Sequence, residues 1–138
     1  MAIVPTPKQI QTMIEKGPTG PMVMVNLLKY RAKAAYADGH KESVENLSGR
    51  EAYQRYGIVA LQQVTKRGGG VVWGGPQKFV MVGEDAGNDW DDVVCVRYPS
   101  REAFLNMTQD PDYLAAHYHR EAGLERTVLI CCGAGMAA

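Results

Sequence analysis

The stretch Met22-Val23-Met24-Val25-Asn26-Leu27-Leu28-Lys29-Tyr30 decides how this chain folds. Alternation puts Met22, Met24, Asn26, Leu28 and Tyr30 on one face of a strand and Val23, Val25 and Leu27 on the other. A strand of an antiparallel sheet with one wet side would be polar on that side. Both sides here are apolar, so both need cover.

Upstream, Thr6-Pro7 reads as an N-cap and a first helical residue. Ile10, Met13 and Ile14 then follow at helical spacing, which predicts a short amphipathic helix over 7–16. Gly17-Pro18-Thr19-Gly20 stops it. Downstream, residues 31–47 are polar and irregular, with Asp38-Gly39 as a turn, and read as a loop with at most one helical turn. Ser48 and Glu51 form a capping box that opens a helix running to about Lys66, with Tyr53, Tyr56, Ala60 and Val64 along one stripe. Gly68-Gly69-Gly70 ends it.

Val71-Val72-Trp73 begins a strand. Gly74-Gly75-Pro76 breaks or bulges it, and Phe79-Val80-Met81-Val82 is expected to resume it. Asp92 to Tyr98 is the next strand, again apolar on both faces. A short helix follows from a cap at Ser100. A second helix starts at Asp110-Pro111, and Gly123 is expected to close it. A last strand spans Leu124 to Cys132.

After the leading helix, the order is strand, helix, strand, strand, helix, strand. This is the split βαβ, ferredoxin-like α+β pattern with a four-stranded antiparallel sheet. Right-handed crossovers put both main helices on one side. The other side is then an apolar surface of the size that usually marks an interface. A second copy in a two-fold contact is the economical cover, so a homodimer is expected. The competing reading folds the leading helix over that side. The expected division is a helical extension over 1–20, the α+β domain over 21–132 and a flexible tail over 133–138.

Composition narrows the function. The chain has 138 residues, enough for one domain and too few for two. Lys plus Arg and Asp plus Glu are balanced at 15 each, which argues against nucleic acid as a partner. The apolar runs are too short for a membrane span. Residues 1–5 lack the pattern of a signal peptide, so the expected location is cytoplasmic. Cys95, Cys131 and Cys132 are odd in number, and two are adjacent, which makes that pair a poor disulfide or metal clip. The glycines of 68–75 follow a helix and precede a strand, the reverse of a dinucleotide fingerprint. There is no Walker loop and no Gly-x-Ser-x-Gly elbow.

The segments Met24-Val25-Asn26-Leu27-Leu28-Lys29, Gly49-Arg50-Glu51-Ala52-Tyr53-x-x-Tyr56-Gly57, Gly68-Gly69 before Val72-Trp73, Trp90-Asp91, Val96-Arg97-Tyr98-Pro99-Ser100-Arg101-Glu102-Ala103-Phe104 and His119-Arg120-Glu121-Ala122 occur in that order. Together they resemble the small bacterial domain of unknown function family numbered 1330, over about residues 21–131. The resemblance implies the dimeric α+β barrel superfamily, in which two ferredoxin-like sheets pack face to face. Relatives there include cofactor-free monooxygenases, muconolactone isomerase and some haem-binding enzymes. The family has no agreed activity.

The candidate residues are few. Asn26 sits mid-strand among apolar neighbours and must be hydrogen-bonded, either to a bound carbonyl or enolate or to the protein itself. Tyr53 and Tyr56 on the helix stripe could line a pocket or simply pack. Trp73 would be a core residue or a pocket wall. Arg97 could clamp a carboxylate or pair with Asp91 or Asp92. His117 and His119 lie about 200° apart around their helix, so they cannot share a metal. The resemblance favours His119 as the inward one, which makes it the candidate base, with a capping or ion-pair role near Glu121 as the alternative.

The expected site therefore has His119, Tyr56 and Asn26 as catalytic groups and Tyr53, Trp73, Arg97 and His117 as contacts to a small, mostly apolar oxygenated ligand. Neither a metal nor a tightly bound cofactor is expected. The chemistry would be proton transfer, and the alternative is a non-catalytic ligand-binding or stress-associated dimer.

Overall fold

A computed structural model of the chain describes residues 3–135. Four strands, β1 (Met22–Tyr30), β2 (Gly70–Pro76), β3 (Asp92–Tyr98) and β4 (Leu124–Gly133), form one antiparallel sheet in the order β2-β3-β1-β4. Four helices, α1 (Pro7–Lys16), α2 (Gly49–Lys66), α3 (Arg101–Met107) and α4 (Pro111–Gly123), complete the ferredoxin-like arrangement, with a short 3₁₀ turn at Lys41–Val44. The element order is the one the sequence predicts.

Local chemistry sets the boundaries. The Ser48 hydroxyl accepts from Glu51 N at 3.1 Å and the Glu51 carboxylate accepts from Ser48 N at 2.9 Å, so the α2 capping box is complete. Thr6 and Gln9 do the same for α1. Asp110 caps α4 ahead of Pro111, which needs no N–H in the first turn. Gly123 does not close α4 in a left-handed turn. It is the last helical residue, and β4 begins directly after it.

The register fixes which residues share a face. Met24 pairs with Val96 and Cys131, and Val25 with Cys95 and Ile130. Met22, Met24, Leu28 and Tyr98 are buried under the helices, in a core that includes Tyr56, Val64, Met107 and Tyr113. Met22, Leu28, Met107 and Leu124 are fully buried, and each such side chain contributes about 1.5–3 kcal/mol. Met13 of α1 packs on this same cluster, and the Gly17 carbonyl accepts from Arg101 at 2.8 Å. The leading helix thus joins the helical layer and leaves the opposite sheet face bare. That face carries Val23, Val25, Leu27, Val93, Cys95, Val128 and Ile130.

Further expectations need correction. Phe79-Val80-Met81-Val82 is not a strand. Phe79, Met81 and Val82 are 72%, 82% and 91% exposed on the long link between β2 and β3. The β-prone residues find no partner there, because β2 is an edge strand that ends at Pro76. The irregularity in β2 falls at Val72, between Val71 and Trp73, and not at the glycines. Of the expected tail, residues 136–138 lie outside the described residues, while Gly133 still pairs with Met22.

Candidate functional site

The helical side of the sheet holds a groove at the end of β1. Tyr30 is the last residue of β1, Asp92 the first of β3, and Arg50 lies in the first turn of α2. These three meet. Arg50 Nη1 lies 2.7 Å from Asp92 Oδ2, the Tyr30 hydroxyl donates to the same oxygen at 2.7 Å, and the Arg50 guanidinium sits 4.7 Å from the Tyr30 ring centre. Asp91 fixes the corner by accepting from Tyr30 N at 2.8 Å.

Aromatic rings lead inward from this hub. Tyr53 lies 5.5 Å from Tyr30 and 5.3 Å from Tyr56, centre to centre, and the Tyr56 hydroxyl meets that of Tyr113 at 2.9 Å. Gln54, Gly57, Ile58 and Leu61 of α2 complete the lining of an open groove of about 520 Å³. Small-molecule sites commonly span roughly 300–1,000 Å³. The Tyr53 hydroxyl has no partner among the described residues.

Burial decides the protonation of these groups. It raises Tyr30 far above the ordinary phenol value, and the hydrogen bond to Asp92 adds to it. Burial pushes Tyr53 up to about 12 against the pull of the Arg120 charge, and raises Tyr56 strongly, helped by Tyr113. At neutral pH the phenols are hydrogen-bond donors and not bases.

The structure distributes the expected site residues over three places. Tyr53 and Tyr56 lie along the inner stripe of α2, as their spacing implied. Asn26 lies on the same side of the sheet. Its Nδ2 donates to Val94 O at 3.1 Å and Met24 O at 3.3 Å, which satisfies the amide within the sheet, and its Oδ1 has no partner among the described residues. His117 is the histidine that meets the tyrosines, with ring centres 5.9 Å from Tyr113 and 6.3 Å from Tyr56. Its Nδ1 is held 3.0 Å from Glu121.

His119 does not face them. Its Nδ1 meets the Tyr36 hydroxyl at 2.6 Å under the 31–47 loop, where His40 stacks on Tyr118 and Tyr118 donates to Glu42 at 2.9 Å. The reason is helical geometry, since residues two apart on α4 cannot both look inward. Trp73 and Arg97 also leave the expected pocket. Trp73 pairs with Cys95, and Arg97 with Val23, so both project from the bare face. Asp91 and Asp92 are taken by Lys29 and Arg50 and not by Arg97. Sequence reasoning missed the Tyr30–Arg50–Asp92 hub, whose members are up to 62 residues apart and share no local spacing. Among the described residues no cluster of three or more His, Cys, Asp or Glu is placed to hold a metal ion.

The match to the family model "Domain of unknown function (DUF1330)" covers residues 42–134. The chain belongs to that family. It is 34% identical to the RPA0582 protein of unknown function from Rhodopseudomonas palustris. One crystal structure of that protein, in methylated form, superposes with a TM-score of 0.87 over 99% of this chain and 97% of that one. A second gives 0.81 over 94% and 93%. A dimeric ferredoxin-like protein of unknown function from Thermobifida fusca is 14% identical, with a TM-score of 0.46 over 83% of this chain and 92% of that one. No curated protein matches the chain. Among the described residues no helix is long and apolar enough to cross a membrane.

Proposed function

We propose that this family member is a homodimeric binding protein for a small, mostly apolar molecule carrying a hydrogen-bonding oxygen. The observation that supports this reading is the polar hub of Arg50, Tyr30 and Asp92 at the end of an apolar groove of ligand size. Ile58, Leu61 and Gly57 receive the apolar body. The Tyr53 hydroxyl and the remaining Arg50 N–H groups donate to the oxygen. A few polar groups at one end of an apolar cleft are the usual design of such sites.

Binding without turnover is favoured over proton transfer because neither helical histidine lines the groove: His117 sits between Tyr113 and Glu121, and His119 beside Tyr36 under the 31–47 loop. The homodimer rests on the bare sheet face. A second copy covers it with an identical surface, with Trp73 and Arg97 at the contact.

Titration with 2-naphthol, followed by its own fluorescence, tests the groove. Saturable binding that weakens at least tenfold in Arg50→Met and in Tyr53→Phe is the expected result. Equal binding by wild type and both variants, or none by wild type, refutes the reading.

A further inference from the structure

Arg120 is the one arginine among the described residues that is buried, at 9% exposure. Five others sit against carboxylates: Arg50 on Asp92, Arg55 on Glu45, Arg67 on Asp110, Arg101 on Glu102 and Arg126 on Asp89. Arg120 has no acidic partner among the described residues. Its Nη1 donates to the backbone carbonyl of Ile3. A guanidinium is always charged and carries five N–H donors, and a buried cation ordinarily has an anion beside it. The carboxylates on or against α4 are committed elsewhere: Glu121 to His117 and Glu42 to Tyr118.

We propose that Arg120 is the receptor for a small organic carboxylate, which enters beneath the amino-terminal segment and replaces the Ile3 carbonyl. That segment is a weak stand-in. Val4, Pro5 and Thr6 after Ile3 are exposed, so one neutral carbonyl from an irregular surface segment screens the charge. A carboxylate offers two oxygens that match the guanidinium fork. The surroundings choose among anions. Ala116, one turn before Arg120 on the same face of α4, is buried. An apolar lining suits a monoanion with an apolar body better than a strongly hydrated phosphate. The charge of Arg120 is felt by Tyr53 and Tyr56, so an anion placed there is also sensed at the inner end of the groove. The site does not depend on the groove, whose polar end is Arg50.

Calorimetric titration of the full chain with benzoate tests this, with benzamide as the neutral isostere and inorganic phosphate as the hydrated anion. The expected result is saturable benzoate binding, at least tenfold weaker binding of benzamide and phosphate, and at least a tenfold loss in Arg120→Met with no change in Arg50→Met. Arg120→Gln keeps a donor for the Ile3 carbonyl and loses the charge, so it carries the test if Arg120→Met does not fold. Absence of saturable benzoate binding in wild type, retention in Arg120→Gln, or equal binding of benzamide overturns the proposal. Loss of benzoate in Arg50→Met but not in the Arg120 variants also overturns it and assigns the carboxylate to the groove.

Discussion

The hydroxyls of Tyr56 and Tyr113 lie 2.9 Å apart in the core, each the other's partner across the α2–α4 contact. Both residues are buried. Removing one oxygen strands the other in an apolar setting, which costs about 1–3 kcal/mol. Tyr113→Phe and Tyr56→Phe should therefore each destabilise the protein by that order. The double variant should cost less than the sum, because no orphaned hydroxyl remains. Urea denaturation of the three variants gives the coupling directly. Strict additivity would mean that the two groups do not depend on each other.

Local spacing in the sequence is enough to place some of these residues and not others. Tyr53 and Tyr56 were legible as a helix stripe because spacing alone puts them on one side of α2. β1 was legible because apolar residues on both faces leave few alternatives. Contacts between distant segments were not. Nothing in the order of residues says that Arg50 and Asp92 meet, since that depends on how far α2 slides along the sheet. Phe79-Val80-Met81-Val82 misled because β propensity describes a fit to a neighbour and not an intrinsic state, and no neighbour is there. His119 misled because a helix of known phase can still be turned toward either a loop or a core.

α2 and α4 cross where neither has a side chain. A Cβ on Gly123 would lie 2.5 Å from Gly49 O and 2.9 Å from Tyr53 N, and one on Gly49 would lie 2.6 Å from Gly123 O and 2.2 Å from Arg31 O. All of these are backbone neighbours with no rotamer to escape into. Gly123→Ala should cost about 3 kcal/mol through forced separation of the helices. It should also weaken 2-naphthol binding, because Arg50 and Tyr53 sit in the first turns of α2. Denaturation and titration of one variant check both effects. A stable Gly123→Ala protein with unaltered binding would show that the crossing is looser than this geometry implies.

His119 predicts a pH response. Burial lowers its pKa below the ordinary histidine value, against the opposing pull of the Glu42 charge. Arg55 and His40 also face it and lower it, while Glu45 raises it. In the window just below about pH 6.5 the unfolded chain then holds more protons than the folded one, so stability falls as pH drops through that window. Glu42 does not contribute there. Burial raises its carboxyl, but hydrogen bonds from its own backbone and from Tyr118 outweigh that and hold it below the ordinary range. His119→Asn retains a group beside the Tyr36 hydroxyl and removes the titration. Its melting temperature should depend less on pH between about 5 and 6.5 than that of wild type. An equal or steeper slope in the variant would assign the proton uptake to another group.

The bare face yields the last prediction. Val25 lies at its middle, paired with Cys95 on one side and Ile130 on the other, and is already partly open to solvent in the single chain. A lysine there should be tolerated by the folded protomer, whose core lies on the opposite side. In a face-to-face dimer the two-fold axis brings two such lysines into one dry contact, and burying an unpaired cation costs several kcal/mol per ion. Val25→Lys should therefore raise the dimer dissociation constant by at least about 100-fold. Its circular dichroism should stay that of the wild type. Val44, which is 87% exposed on the 31–47 loop, supplies the control, and Val44→Lys should leave assembly unchanged. Sedimentation velocity across the micromolar range reads all three proteins. If wild type sediments as a single chain throughout, or Val25→Lys remains as dimeric as Val44→Lys, a second copy does not cover this sheet and the homodimer has to be abandoned.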